Sequence, residues 1–276
     1  MNFKIVADSS SDVLSLSHVP FASAPLTIIA GDRSYVDTPD LDVPGMAADL
    51  KAHKGKSSTA CPGPHEWLTA FGDAENIFCF CITSGLSGTY NAAKIAAHEY
   101  EEQHPSRRVF VMDTLSTGPE MRLLIEKAEE LILSGIDFDG IVEALKAYGH
   151  RTHLLFCLRS LHNLVMNGRA NPAVGALVGL LGIRVIGCAS EKGDIEMVSK
   201  ARGDKKAIQA NLNAMRDRGY NGGKARINHC GNEPAAQALR DQILAQWPSA
   251  DVVVGQARGL CTYYAEEGGL LIGFEG

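Results

Sequence analysis

Short apolar runs alternate along this chain with longer stretches in which apolar residues recur every third or fourth position. The runs at 3–7, 27–30, 77–82, 109–112, 153–157, 184–189, 196–199, 225–229, 251–254 and 270–274 predict strands. The longer stretches at 118–134, 138–148, 204–218 and 233–246 predict helices, and in the first of them Leu123, Leu124, Ala128, Leu131 and Ile132 fall on one face. Strand and helix alternating in this way mark an α/β protein. Residues 77–82 are apolar at every position, as in a strand covered on both faces of a parallel sheet. The rhythm changes near residue 150, beyond which Glu191-Lys192-Gly193-Asp194 stands between two apolar runs and predicts the turn of a β-hairpin. Two domains are therefore expected, 1–150 and 151–276, facing each other across a cleft of the kind where ligands bind.

Composition narrows the classes of function. Hydrophobic residues make up 45% and charged residues 21% of the 276 positions, as in an ordinary globular protein, and no window of ~18 apolar residues suggests a membrane helix. A net charge of -6 without a long basic stretch argues against nucleic acid as a partner. The first residues, Met1 to Asp8, read as a strand and not as a signal peptide, so a cytoplasmic location without stable membrane insertion is expected. Seven cysteines form no Cys-x-x-Cys pair and sit mostly in apolar runs, as small buried side chains in a reducing compartment do. Neither they nor the histidines show metal-ligand spacing, so no metal is expected.

The densest candidate chemistry lies at 79–91, Cys-Phe-Cys-Ile-Thr-Ser-Gly-Leu-Ser-Gly-Thr-Tyr-Asn. An apolar run feeds Thr83, Ser84, Gly85, Ser87 and Gly88, and a helix-like stretch with Ala92, Ala93, Ile95, Ala96 and Ala97 follows. Such a turn aims free backbone N–H groups and the positive end of a helix dipole at one point, where a carboxylate or phosphate can be held. The plainer alternative is that Ser84 or Ser87 only caps the helix. The spacing is not that of a P-loop, a dinucleotide-binding glycine motif or a nucleophile elbow, so no cofactor and no catalytic serine is expected. Other polar groups follow predicted strands: Asp8-Ser9-Ser10-Ser11-Asp12, Asp113-Thr114-Leu115-Ser116-Thr117, and His229. In Ser58-Thr59-Ala60-Cys61-Pro62-Gly63-Pro64 the prolines predict a rigid irregular loop that holds Thr59 toward a ligand, or a simple turn. Gly168-Arg169 offers one guanidinium, suited to an acidic ligand or partner or to a solvated surface.

Taken in order, these segments resemble the DegV family of bacterial fatty-acid-binding proteins over nearly the whole chain. The resemblance rests on Asp8-Ser9-Ser10-Ser11-Asp12, Pro25-Leu26-Thr27-Ile28, Gly31-Asp32, Tyr35-Val36-Asp37, Thr59-Ala60-Cys61-Pro62-Gly63-Pro64, Ser84-Gly85-Leu86-Ser87-Gly88-Thr89-Tyr90, Asp113 to Ser116, Gly168-Arg169 and Lys200-Ala201-Arg202-Gly203. It implies two α/β domains, the first with a mostly parallel sheet and flanking helices and the second with a mixed sheet, and a tunnel between them for a long-chain fatty acid. Carried over by position, Thr59 and Ser87 would hold the carboxylate, with the Gly88 amide, Ser84 and Thr83 nearby. The family implies no catalytic residue and a separate fatty acid kinase as partner, toward which Arg169 would be turned.

Three loops depart from the family pattern. Where it usually shows Gly-x-His-x-Gly-Pro-Gly, this chain has Gly255-Gln256-Ala257-Arg258-Gly259-Leu260-Cys261, with Ala257 in place of the His. Arg258 is therefore expected to take over as the cationic partner of the head group. Cys61 replaces a Gln, and Ser116-Thr117-Gly118-Pro119-Glu120 stands in place of Ser-Ala-Ser-Met-Gly. The competing expectation is an enzyme or binding protein for another small carboxylated or phosphorylated metabolite. A tunnel lined by aliphatic side chains would favour the lipid, and a polar open cleft the metabolite.

Overall fold

The computed structural model describes residues 2–171 and 182–276. All ten predicted strands are present in it, and three further short ones accompany them. Strands β1 (Phe3–Asp8), β2 (Phe21–Ala24), β6 (Asn76–Cys81) and β7 (Arg108–Asp113) form a wholly parallel sheet in the order β2-β1-β6-β7. The unbroken apolar run of β6 is explained by what covers it. Ile77, Cys79 and Cys81 join a core with Trp67 and Phe71 of α2 (Pro64–Phe71) and Ala93 and Ala96 of α3 (Thr89–Gln103). Phe78 and Phe80 point the other way, into a core with Leu123, Leu124 and Ala128 of α4 (Gly118–Leu133) and Ile141 and Leu145 of α5 (Phe138–Gly149).

The second sheet has six strands in the order β10-β9-β8-β13-β11-β12. Its members are β8 (Thr152–Leu158), β9 (Ile183–Ala189), β10 (Ile195–Arg202), β11 (Lys224–His229), β12 (Asp251–Gln256) and β13 (Leu270–Glu275). Only β11 and β12 pair in parallel, so the sheet is mixed. The hairpin predicted at 191–194 joins β9 to β10. Alternation along β8 again sorts two faces. Leu155 and Cys157 pack with Leu212 of α7 (Asp204–Asp217) and Leu239 of α8 (Glu233–Gln246), helices that follow the short α6 (His162–Met166) in the chain, whereas Phe156 and Leu158 face the parallel sheet's side of the molecule.

Helix α4 bridges the two sheets, packing on β13 and β11 as well as on β1 and β6. Gly273 permits this, because a Cβ there would lie 2.4 Å from the Glu120 amide nitrogen at the start of the helix.

A third, small antiparallel sheet combines β3 (Thr27–Ala30), β4 (Arg33–Val36) and β5 (Ser57–Ala60), flanked by α1 (Val43–Ala52). It corrects the expectation of an irregular loop at 58–64. Thr59 lies in a regular strand paired with Ile28, and Pro64 opens α2, since a helix tolerates proline in its first turn, where the missing N–H has no helical acceptor.

Candidate functional site

A cavity of about 350 Å³ lies between the carboxyl ends of the parallel sheet and the face of the six-stranded sheet opposite its helices. Strand ends of an open parallel sheet are a usual ligand site, and the volume falls in the range of about 300–1,000 Å³ common for small-molecule pockets. Leu154, Phe156 and Leu158, at alternate positions of β8, supply one wall together with Leu271 of β13. Leu26, Ile82, Leu86 and Leu115 contribute from the parallel sheet's side, and Leu260 and Ala265 from α9 (Gly259–Ala265). The lining is mostly apolar.

Hydroxyls gather at one part of it. Thr59 projects from β5 with its Oγ1 2.8 Å from the Tyr264 hydroxyl, and both residues line the cavity. Ser57, on the same face of the strand, meets the Tyr263 hydroxyl at 2.7 Å, so two successive tyrosines of α9 hold β5 in place. Ser87 precedes α3. Its Oγ accepts the Thr89 N–H at 3.3 Å and lies 2.7 Å from Thr89 Oγ1. The N-cap position itself is Gly88, so Ser87, one residue upstream, receives the first helical N–H while also lining the cavity. Gly88 lines the cavity beside it, where the first N–H groups of α3 lack intrahelical acceptors. Thr83 is buried and lines the cavity too, with its Oγ1 occupied by the Gly85 N–H at 3.1 Å.

Two predicted positions fall elsewhere. Ser84 is exposed, does not line the cavity, and donates its N–H to Asp113 Oδ1 at 3.1 Å. Arg258 does not line it either. Its amide donates to Asp12 Oδ1 at 2.8 Å and its guanidinium to the Thr38 carbonyl at 2.6 Å, which draws the charge toward the small sheet. Adjacency to Ala257 in sequence therefore did not bring Arg258 to the cavity lining, and Ala257 itself is fully buried and does not line the cavity. Among the described residues the charged side chains at the lining are Arg169 and Asp194. Arg169 donates from Nε to the Leu86 carbonyl at 3.4 Å, so the guanidinium expected to face a partner lies beside the hydroxyl cluster. Tyr264 had drawn no notice in the sequence. Its signal was the Tyr263-Tyr264 pair, since a tyrosine that enters a core brings a hydroxyl that needs a partner.

Behind the cavity lies a set of buried carboxyls. Asp8, at the end of β1, accepts the Ile82 N–H at 2.7 Å and the Ser10 N–H at 3.0 Å, and burial pushes its carboxyl up to about 6 despite these donors. Asp12 receives the Arg258 amide and, at 2.6 Å, the Asn228 side chain, with burial raising it to about 7. Asp37 accepts the Gly259 and Leu260 N–H groups, each at 2.9 Å, and is likewise raised by burial. Asp12 and Asp37 thus satisfy the open amino end of α9 from distant parts of the chain. Glu120 accepts from Ser116 at 2.5 Å and from Thr152 at 2.9 Å and is raised to about 7 by burial. No cluster of three or more His, Cys, Asp or Glu side chains able to hold a metal occurs among the described residues. No described helix is long and apolar enough to cross a membrane.

Comparison with known proteins places this arrangement. The family model described as "Uncharacterised protein, DegV family" matches residues 2–275. A DegV domain-containing protein of Streptococcus pneumoniae is 43% identical over 279 aligned residues, which cover 100% of this chain and 99% of that protein. Among solved structures, a DegV family protein from Eubacterium eligens loaded with heptadecanoic acid superposes with a TM-score of 0.97 at 44% identity, covering 99% of each chain. The Fatty Acid Kinase (Fak) B3 protein of Streptococcus pneumoniae, loaded with linoleic acid, superposes with a TM-score of 0.98 at 43% identity, covering 100% of this chain and 99% of its own.

Proposed function

The chain belongs to the DegV family, and on that premise we propose that it is a carrier of one long-chain fatty acid, whose carboxylate it presents to a fatty acid kinase. The observation that carries this reading is the form of the cavity, a mostly apolar chamber with hydroxyls gathered at one part of its lining. A carboxylate taken out of water is costly unless donors meet it, and Thr59, Ser87, Tyr264 and the Gly88 amide are placed to do so. Arg169 adds positive charge at the same place. Two relatives at 43–44% identity carry fatty acids, and one of them bears the name of a fatty acid kinase component.

In this reading the protein is a carrier and not a catalyst. Thr59 and Ser87, the hydroxyls placed for the carboxylate, have other hydroxyls and not a carboxylate or imidazole as their side-chain hydrogen-bond partners, which suits holding a head group better than activating a nucleophile. We read the chain as two lobes, 1–150 and 151–276, with α4 of the first lobe packing onto the second sheet. Seven unpaired cysteines suit a reducing compartment, and we place the protein in the cytoplasm.

The kinase step has a direct test. The fatty-acid-loaded protein, a bacterial fatty acid kinase and ATP are expected to yield acyl phosphate, trapped as the acyl hydroxamate. No hydroxamate from loaded protein, with an active kinase and its own carrier as control, would remove the kinase from the proposal.

A further inference from the structure

On the apolar wall of the cavity, Phe156 of β8 stands directly opposite Gly187 of β9. Opposed residues on neighbouring strands point to the same face of a sheet, so a side chain at 187 would project on the face that carries the Phe156 ring. The ring already fills that place. A Cβ built on Gly187 would lie 2.2 Å from Phe156 Cζ, 2.3 Å from Cε2 and 2.5 Å from the Glu196 carbonyl oxygen of the next strand. Phe156 lines the cavity, whereas Gly187, under the ring, does not. The backbone of Gly187 is not in the left-handed region, so space and not conformational freedom explains the glycine.

We infer that Gly187 is the seat of the Phe156 ring and that this pair determines how much acyl chain the cavity accepts. The ring lies back against the sheet because position 187 has no side chain, and the volume it leaves free belongs to the cavity. This rests on the fatty-acid reading above and extends it to chain selectivity. A methyl at 187 lifts the ring off the sheet into the space of the ligand. Trimming the ring to leucine enlarges that space while leaving the sheet's backbone contacts as they are.

The test is competitive loading of the delipidated full-length protein with an equimolar series of even-chain saturated acids from lauric to arachidic, read by native mass spectrometry. Relative to wild type, Gly187→Ala is expected to shift the bound distribution at least one even-chain step shorter, and Phe156→Leu at least one step longer. Gly187→Ala also presses on the Glu196 carbonyl; should it fail to fold, Phe156→Leu decides alone. A folded Phe156→Leu protein, checked by circular dichroism, that loads the wild-type distribution overturns the inference and leaves the carrier reading intact. A folded wild-type protein that takes up no fatty acid overturns the carrier reading and the inference with it.

Discussion

At the scale of single residues, the site depends on which hydroxyls face the cavity. If the proposed head-group site is right, Thr59→Ala and Ser87→Ala are each expected to cost a donor to the buried carboxylate, about 1.5–3 kcal/mol and so roughly ten- to a hundredfold in affinity. Arg258→Ala, whose guanidinium is engaged with Thr38, is expected to bind within about twofold of wild type. Titration with a fluorescent fatty acid separates these cases, and a large loss on Arg258→Ala together with none on Thr59→Ala would reverse the assignment. That Ser87 and Gly88 would line a cavity was legible in the sequence, because a short hydroxyl and glycine run after an apolar strand has few uses besides capping and anion binding, whereas Thr59 was singled out in a loop that proved to be a strand. Arg258 misled because adjacency along a chain does not state where a side chain turns. Tyr264 was missed because it sits in a helix of seven residues with no turn signature, and its hydroxyl finds Thr59 only through the fold.

At the scale of elements, the long periodic helices and the buried strands were the readable part. β6 could be recognised as a central parallel strand because both of its faces are covered, which makes every position apolar. The hairpin at 191–194 was legible from its Lys-Gly-Asp turn between apolar runs, and Gly193 there has a φ of +77°, which a glycine adopts without strain. β4 and β5 were not readable. Arg33–Val36 and Ser57–Ala60 are four-residue polar strands of a small sheet, stabilised by pairing with β3 and by tyrosine contacts from α9 more than 200 residues away. Elements whose stability comes from distant partners leave little periodicity in their own residues. The same holds for the amino end of α9, which is completed by Asp12 and Asp37.

At the scale of the whole molecule, the two larger sheets meet over buried carboxyls whose titration couples folding to pH. Asp12 and Glu120 are raised to about 7 in the folded protein, against ordinary values of 3.8 and 4.5. The folded state therefore holds more protons than the unfolded chain between these limits, and the stability this confers, complete at low pH, is lost as pH rises through about 7. His153 and His229, lowered by burial, act in the opposite direction, but their effect falls below about pH 6.5. Urea midpoints are thus expected to fall between about pH 6.5 and 8, and Glu120→Gln, which retains a hydrogen-bonding side chain, should flatten that slope. A midpoint that rises over this window would show that these groups are ionised in the folded protein. In the proposed function the chamber between the sheets holds one fatty acid by its carboxylate. Native mass spectrometry of the protein as purified from a bacterial host, followed by solvent extraction, tests it most directly. One fatty acid per chain is expected, reduced or absent in a folded Thr59→Ala/Ser87→Ala protein. An empty wild-type protein that remains empty after incubation with oleic acid would contradict it.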